Sequence, residues 1–297
     1  MINYDSPREL RAFLDERSLG MRKKLGQNFL INSAVRSKLL DALELPRGSV
    51  VWEIGPGLGA MTAGLLERGG HVTAFEVDPA FARALRELFV NEISSGGPLR
   101  LVEGDVFKTW PQVNLHEQPN SGEIFLLGNL PYNIAAALIA DFIEKGKFFK
   151  RMVVTVQHEV ARRMAAKPGS ADYSSFSVLC SSVYSITPLN IIKPSSFYPA
   201  PRVDSQGVRM DFEVRSRKFP DFFYPMVRNL FSSRRKTIRN TLSRFVSSAI
   251  MNKDCTAQEA AAEVFKKTGI SGDRRPETLS IDEFAALAEL LKEIVHG

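Results

Sequence analysis

The sequence predicts an α/β fold: a Rossmann-like, doubly wound and mostly parallel sheet with a small C-terminal helical domain. Three observations predict it. Short apolar runs alternate with helix-periodic segments from about residue 49 to 166. A glycine-rich turn joins the first of those runs to a helix. Strand signals then stop near residue 216.

Each element has a local reason. In 33–44, Val35, Leu39, Leu40 and Leu43 recur at helical spacing, and Pro46 closes the helix. The run 49–55 is apolar and β-branched, as a strand buried on both faces must be, and 60–68 reads as the helix after it. Strand 71–78 is followed by helix 79–90, which opens on Pro79. Strand 99–105, strand 123–129 with helix 133–144, and strand 151–157 with a helix from about 158 to 166 complete the alternation. Residues 177–186 and 206–214 read as later strands, flanking a loop with Pro194, Pro199 and Pro201, and an antiparallel hairpin would end the sheet. Helices are predicted over 221–231, 233–247, 256–267 and 281–295. The predicted organisation is an N-terminal extension (1–21), a ligand-binding α/β domain (22–214) and a helical domain (215–297).

Composition excludes several classes. A chain of 297 residues, 44% hydrophobic and 24% charged, is long enough for a sizeable core without disulfide or metal staples. No apolar run approaches the roughly 18 residues of a membrane span, and the first 20 residues lack the apolar stretch of a secretory signal. Cys180 and Cys255 stand 75 positions apart, which fits no zinc knuckle or redox pair. His71, His116, His158 and His296 are scattered. No metal site is expected, and the reducing cytoplasm is the expected compartment. The net charge is +6, and its distribution is uneven. Segment 215–244 holds nine Lys/Arg and one acid, and 145–167 holds seven and one. Such clusters are either solvated faces or surfaces for a polyanion.

The motifs lie at predicted strand ends. Glu53-Ile54-Gly55-Pro56-Gly57-Leu58-Gly59 follows the first sheet strand and opens a helix, where glycines admit a ligand close to backbone N–H groups. Glu76 ends the next strand, 21 residues after Gly55. An acid there can take both ribose hydroxyls of a nicotinamide cofactor or of S-adenosylmethionine. Asp105 ends the third strand and could accept from an adenine amine or simply cap a turn. Asn129-Leu130-Pro131-Tyr132 separates the two cofactors. An adenine amine is a poor nucleophile, because its lone pair is delocalised into the ring. The Asn129 side-chain carbonyl with the Leu130 or Pro131 backbone carbonyl can accept both amine hydrogens and aim the lone pair at an electrophilic methyl. Pro131 stiffens the turn, and Tyr132 offers a ring for the base.

Taken together, these segments resemble the KsgA/RsmA family of small-subunit ribosomal RNA adenine dimethyltransferases. The shared motifs occur in the family order at 26–30 (GQNFL), 53–59, Glu76, Asp105, 129–133 (NLPYN), 197–205 (FYPAPRVDS) and 234–240 (RRKTIRN). The likeness implies the class I S-adenosylmethionine-dependent methyltransferase fold, with S-adenosylhomocysteine as the by-product. It places cofactor contacts on Gln27, Asn28, Leu30, Gly55, Gly57, Glu76, Asp105, Val106 and Asn129. The target adenine would lie between Tyr132 and Phe197. The implied product is N6,N6-dimethyladenosine at two adjacent adenosines of a hairpin loop near the 3′ end of 16S rRNA, formed on a pre-30S particle during ribosome biogenesis. Lys23, Lys24, Arg162, Arg163, Arg234, Arg235, Lys236 and Arg239 are the candidate RNA contacts, the last four as neighbours on one helix. A monomer is expected. Ser233 and the Tyr173–Ser177 segment depart from the family pattern. Two other readings remain: an Erm-type 23S rRNA methyltransferase, and a non-catalytic RNA-binding assembly factor.

Overall fold

The computed structural model describes all residues except Met1, 22–25, 114–122, 214–218, Arg234, 250–255 and Gly297; the side chains of 248–249 and 295–296 are also left undescribed. The chain forms two compact units. The first comprises Met1–Ala161 with Ser185–Phe212, and the second Arg162–Tyr184 with Glu213–Gly297. The second unit therefore draws on residues 162–184, upstream of the boundary predicted at 214/215. Residues 2–21, predicted as a separate extension, belong to the first unit.

In the first unit the chain runs α1 (Pro7–Glu16), β1 (Phe29–Leu30), α2 (Ser33–Leu43), β2 (Val50–Ile54), α3 (Ala60–Glu67), β3 (His71–Glu76), α4 (Pro79–Leu88) and β4 (Leu99–Glu103). It continues with α5 (Val106–Thr109), β5 (Ile124–Asn129), α6 (Ala135–Glu144) and β6 (Arg151–Gln157). The short helix α7 (His158–Ala165) leads into α8 (Ser175–Ser181) of the second unit, and the chain returns to the first with β7 (Tyr184–Ile192), β8 (Phe197–Tyr198) and β9 (Ser205–Phe212).

Among the described residues seven strands form one sheet in the order β4-β3-β2-β5-β6-β9-β7. The contacts among β4, β3, β2, β5 and β6 are parallel, and β9 joins β6 antiparallel. All five residues of β2 are buried, which explains its uninterrupted apolar character. Because β2 pairs with both β3 and β5, the strand order reverses there. Ligands bind at the carboxyl ends of strands beside such a switch point. The glycine loop leaves β2 at that end, and the Asn129 segment leaves β5 beside it. On one face, Leu39, Leu40 and Leu43 of α2 and Leu65 of α3 pack with Val51, Val72 and Val153. On the other, Trp52 meets Phe75, Phe142 and Phe149.

One predicted strand is wrong in part. Residues 177–186 begin as helix α8, and only from Tyr184 do they become strand. The reason is a reciprocal cap: Ser174 and Ser177 satisfy each other's backbone N–H groups, which starts a helix despite the β-branched composition.

The second unit contains α9 (Phe223–Phe231), α10 (Ile238–Ala249), α11 (Ala257–Thr268) and α12 (Ile281–His296). Its core includes Phe223, Leu230, Leu242, Val264, Phe284 and Leu291. Helix α10 starts five residues later than predicted. The N–H groups of Ile238 and Arg239 are held by the carbonyls of Arg274 and Gly272, so the helix begins where those partners wait. Tyr173 is buried here with its hydroxyl donated to the Leu279 carbonyl at 3.0 Å. In this chain the first residue of the altered Tyr173–Ser177 segment thus holds the core together.

Candidate functional site

Two hollows flank the glycine loop, both within the first unit. The first has a volume of about 50 Å³ and is bordered by Tyr4, Asn28, Glu53, Gly57, Leu58 and Asn129 among others. The second, about 260 Å³, is bordered by Gly55, Phe75, Val77, Asp105, Val106 and Pro131 among others. Gly55 borders both.

The loop owes its shape to left-handed backbone. Gly57 has φ of +59°, and a Cβ there would stand 2.9 Å from Cε1 of Phe29. A side chain is excluded both by conformation and by the GQNFL segment packed against it. At Gly26, with φ of +63°, a Cβ would likewise stand 3.3 Å from Cβ of Pro131. The three motifs at 26–30, 53–59 and 129–133 therefore converge, although they are separated by about 25 and 70 positions.

Below the loop lie two buried acids. Glu76, 4% exposed, accepts from the N–H of Gly57 at 3.2 Å and from that of Asp78 at 2.9 Å. Burial raises its pKa to about 7 against those hydrogen bonds. Glu76 is thus less open than a strand-end acid facing a crevice. Glu53, 2% exposed, accepts from the Thr62 hydroxyl at 2.6 Å, and burial again raises its pKa to about 7, with the nearby Glu76 adding to the effect. Glu53 borders the first hollow, and spacing arguments gave it no role of its own. Its only sequence signal was its place at the head of the glycine motif.

Asp105 is exposed and caps α5 by accepting from the Phe107 N–H at 3.1 Å through Oδ1. Oδ2 has no partner among the described hydrogen bonds, so capping and ligand recognition are compatible. Gln27 donates to Asp78 at 3.3 Å, and the Asn28 side chain donates to the Gly26 carbonyl at 3.1 Å.

The Asn129 turn has a defined hydrogen-bond polarity. Asn129 Nδ2 donates to the Asn28 carbonyl at 2.7 Å, which fixes Oδ1 as the remaining acceptor. The Pro131 carbonyl accepts from the N–H groups of Ile134 and Ala135 as α6 begins. Of the two backbone candidates, the Leu130 carbonyl is the one left without a described partner. The Tyr132 hydroxyl shares a 2.5 Å hydrogen bond with Ser205, which anchors its ring, and burial raises its pKa.

Phe197 is placed differently from the expectation. It pairs with Leu30 across the β1–β8 ribbon and is 3% exposed, within the core that contains Leu39 and Ile192. Strand alternation turns Phe197 inward and leaves the next residue, Tyr198, packed against the cluster around Leu10 and Phe81. The Phe197 ring therefore offers no open face opposite Tyr132.

The basic candidates divide between described and undescribed residues. Lys23, Lys24 and Arg234 lie outside the described residues. Arg235 and Lys236 are exposed and precede α10 rather than sharing it. Arg239 is exposed on α10 and pairs with Asp273 at 3.2 Å. Arg162 pairs with Asp172 at 2.9 Å, and the Arg163 guanidinium lies 5.9 Å from the Phe176 ring centre. Among the described residues no cluster of histidine, cysteine or acidic groups could hold a metal, and no helix is long and apolar enough to cross a membrane.

Fold and site together define a class I S-adenosylmethionine-dependent methyltransferase. Solved structures share the fold: a dimethyladenosine transferase from Plasmodium falciparum superposes with a TM-score of 0.72 at 23% identity, covering 89% of this chain and 98% of that one. The 23S rRNA methyltransferase ErmE gives 0.62 at 21% identity, covering 89% and 99%. The family described as ribosomal RNA adenine dimethylase matches residues 19–293, and the chain belongs to it. A relative from Treponema denticola, the ribosomal RNA small subunit methyltransferase A, is 41% identical over 97% of this chain and 96% of its own length.

Proposed function

We propose that this protein dimethylates the N6 amines of two adjacent adenosines in a hairpin loop near the 3′ end of 16S rRNA, acting as a cytoplasmic monomer on a pre-30S particle. It is an enzyme that uses S-adenosylmethionine on ribosomal RNA adenine, as its family and its near-full-length relatives show. The reading of the nucleotide-level target rests on that kinship. One observation carries the chemistry: the paired acceptors, Asn129 Oδ1 and the Leu130 carbonyl, left at the β5 end by the bonds to Asn28 and from α6.

The donor set suits the cofactor. Backbone N–H groups and positive-φ glycines admit a close ligand, Glu76 and Asp105 offer carboxylate oxygens for hydroxyls and an amine, and Val106 gives an apolar surface. Gln27, Asn28, Leu30, Gly55 and Gly57 complete the proposed contacts. Bound S-adenosylmethionine supplies an electrophilic methyl group. The two acceptors hold the amine hydrogens and direct the nitrogen lone pair, while Tyr132, anchored by Ser205, supports the base. No strong base is needed, because the amine proton becomes acidic once nitrogen is alkylated. A single-stranded loop is a suitable substrate, since extruding a base costs least there. Arg235, Lys236 and Arg239 would meet phosphates, with Lys23, Lys24, Arg162, Arg163 and Arg234 as further candidates.

The test is transfer of label from S-adenosylmethionine to small-subunit particles lacking the modification, with large-subunit RNA alongside. Label in N6,N6-dimethyladenosine of the small-subunit RNA alone is expected. Label in large-subunit RNA, or none with particle binding intact, would overturn the proposal in favour of the Erm-type or the non-catalytic reading.

A further inference from the structure

We infer that the N-terminal segment, residues 2–19, is a third wall of the cofactor pocket, with Tyr4 and Asp5 as positioning residues for cofactor binding. The inference rests on reading the first hollow as part of the cofactor site.

Two consecutive residues tie together the two loops that border this hollow. The Tyr4 hydroxyl donates to the Leu58 carbonyl at 2.9 Å, inside the glycine motif. Asp5 pairs with Arg36, and the same guanidinium donates at 2.8 Å to the carbonyl of Leu30, in the GQNFL segment. Leu58 and Leu30 both border the hollow, as do Tyr4 and Leu10. The latch thus runs from one cofactor loop, through the N-terminal segment, to the other.

A helix anchors the latch. Ser6 caps α1 by accepting from the Glu9 N–H at 3.2 Å, and Pro7 follows at the first helical position. Leu10 and Leu14 are buried against Leu58, Phe81 and Ala84. That cluster is separate from the core between α2, α3 and the sheet. Loosening the latch should therefore be felt first in loop order, not in the sheet. Burial, with the charge of Glu53 adding, raises the Tyr4 pKa to about 12, so its hydroxyl remains a donor throughout the working range. A ligand that must order two loops binds less tightly by the entropy of ordering them, and a latch that orders them beforehand removes that cost.

The test is calorimetric titration of the full chain with S-adenosylhomocysteine. Tyr4→Phe keeps the packing and loses the bond, and Asp5→Asn weakens the second tie independently. Each is expected to weaken affinity by about five- to tenfold, the worth of one hydrogen bond to a positioned loop. The KM for S-adenosylmethionine should rise, with kcat and RNA affinity within about twofold of wild type. If both variants bind S-adenosylhomocysteine like the wild type, even with a lowered melting temperature, the segment only packs and the inference is overturned. A wild type that itself fails to bind would instead overturn the reading of the hollow, and this inference with it.

Discussion

Asn129→Ala separates chemistry from folding. In the wild type, Nδ2 is committed to the Asn28 carbonyl at 2.7 Å, so the side chain cannot flip without losing that bond, and Oδ1 is held as an acceptor. Alanine removes one of the two acceptors proposed for the amine hydrogens while leaving the Leu130 carbonyl in place. Removing one positioned hydrogen-bonding group from a transition state costs about 10²- to 10³-fold in rate, or roughly 3–4 kcal/mol of barrier. The structural cost is far smaller. One half-buried hydrogen bond is worth about 1 kcal/mol, which lowers the melting temperature by no more than about 4 °C. Single-turnover transfer of labelled methyl to small-subunit particles, with protein in excess, measures the chemical step directly. The expected result is a loss of about 10²-fold or more with particle binding intact. Turnover within about threefold of wild type would refute the acceptor role, whatever the melting temperature.

Three further outcomes follow from the geometry. Glu53 has its pKa raised by burial to about 7 from an ordinary 4.5, so its stabilising contribution is present below about 4.5 and is lost as pH rises through 7. Glu53→Gln should therefore raise stability relative to wild type progressively between pH 5 and pH 8, by at most about 3 kcal/mol at the upper end, read as a growing difference in melting temperature; a pH-independent difference would exclude this cause. Gly57→Ala forces a non-glycine residue to φ of +59° and its Cβ against Phe29 at 2.9 Å. A loss of about 1–2 kcal/mol is expected, together with weaker S-adenosylhomocysteine binding by calorimetry, and a neutral result would mean that the loop can relax. Reversing Arg235 and Lys236 to Glu should weaken RNA binding and make log K less steep in log salt by about 1.4 or more; an unchanged slope would remove that turn from the interface.

The legible part of the protein is local. Parallel strands buried on both faces must be continuously apolar, so β2, β3, β5 and β6 announce themselves as runs. Glycines that need positive φ mark the loop, and the chemistry proposed for the Asn129 turn is carried by four adjacent residues. From these the doubly wound sheet and the cofactor class could be read in one dimension, and the base-handling role of the turn could be proposed. What only the tertiary structure decided depends on partners distant in the chain. Phe197 faces inward because β8 pairs with β1, a register that no spacing rule contains. Helix α10 begins at Ile238 because carbonyls at 272 and 274 receive its first N–H groups. Glu53 and Glu76 look like ordinary strand residues in sequence, and their shifted titration arises only from burial beneath the glycine loop. Tyr4 precedes the glycine motif by about 50 positions, and only the packing of α1 on Phe81 and Leu58 brings it to the pocket. Periodicity and turn chemistry are properties of neighbours in sequence, whereas burial and long-range pairing are properties of neighbours in space.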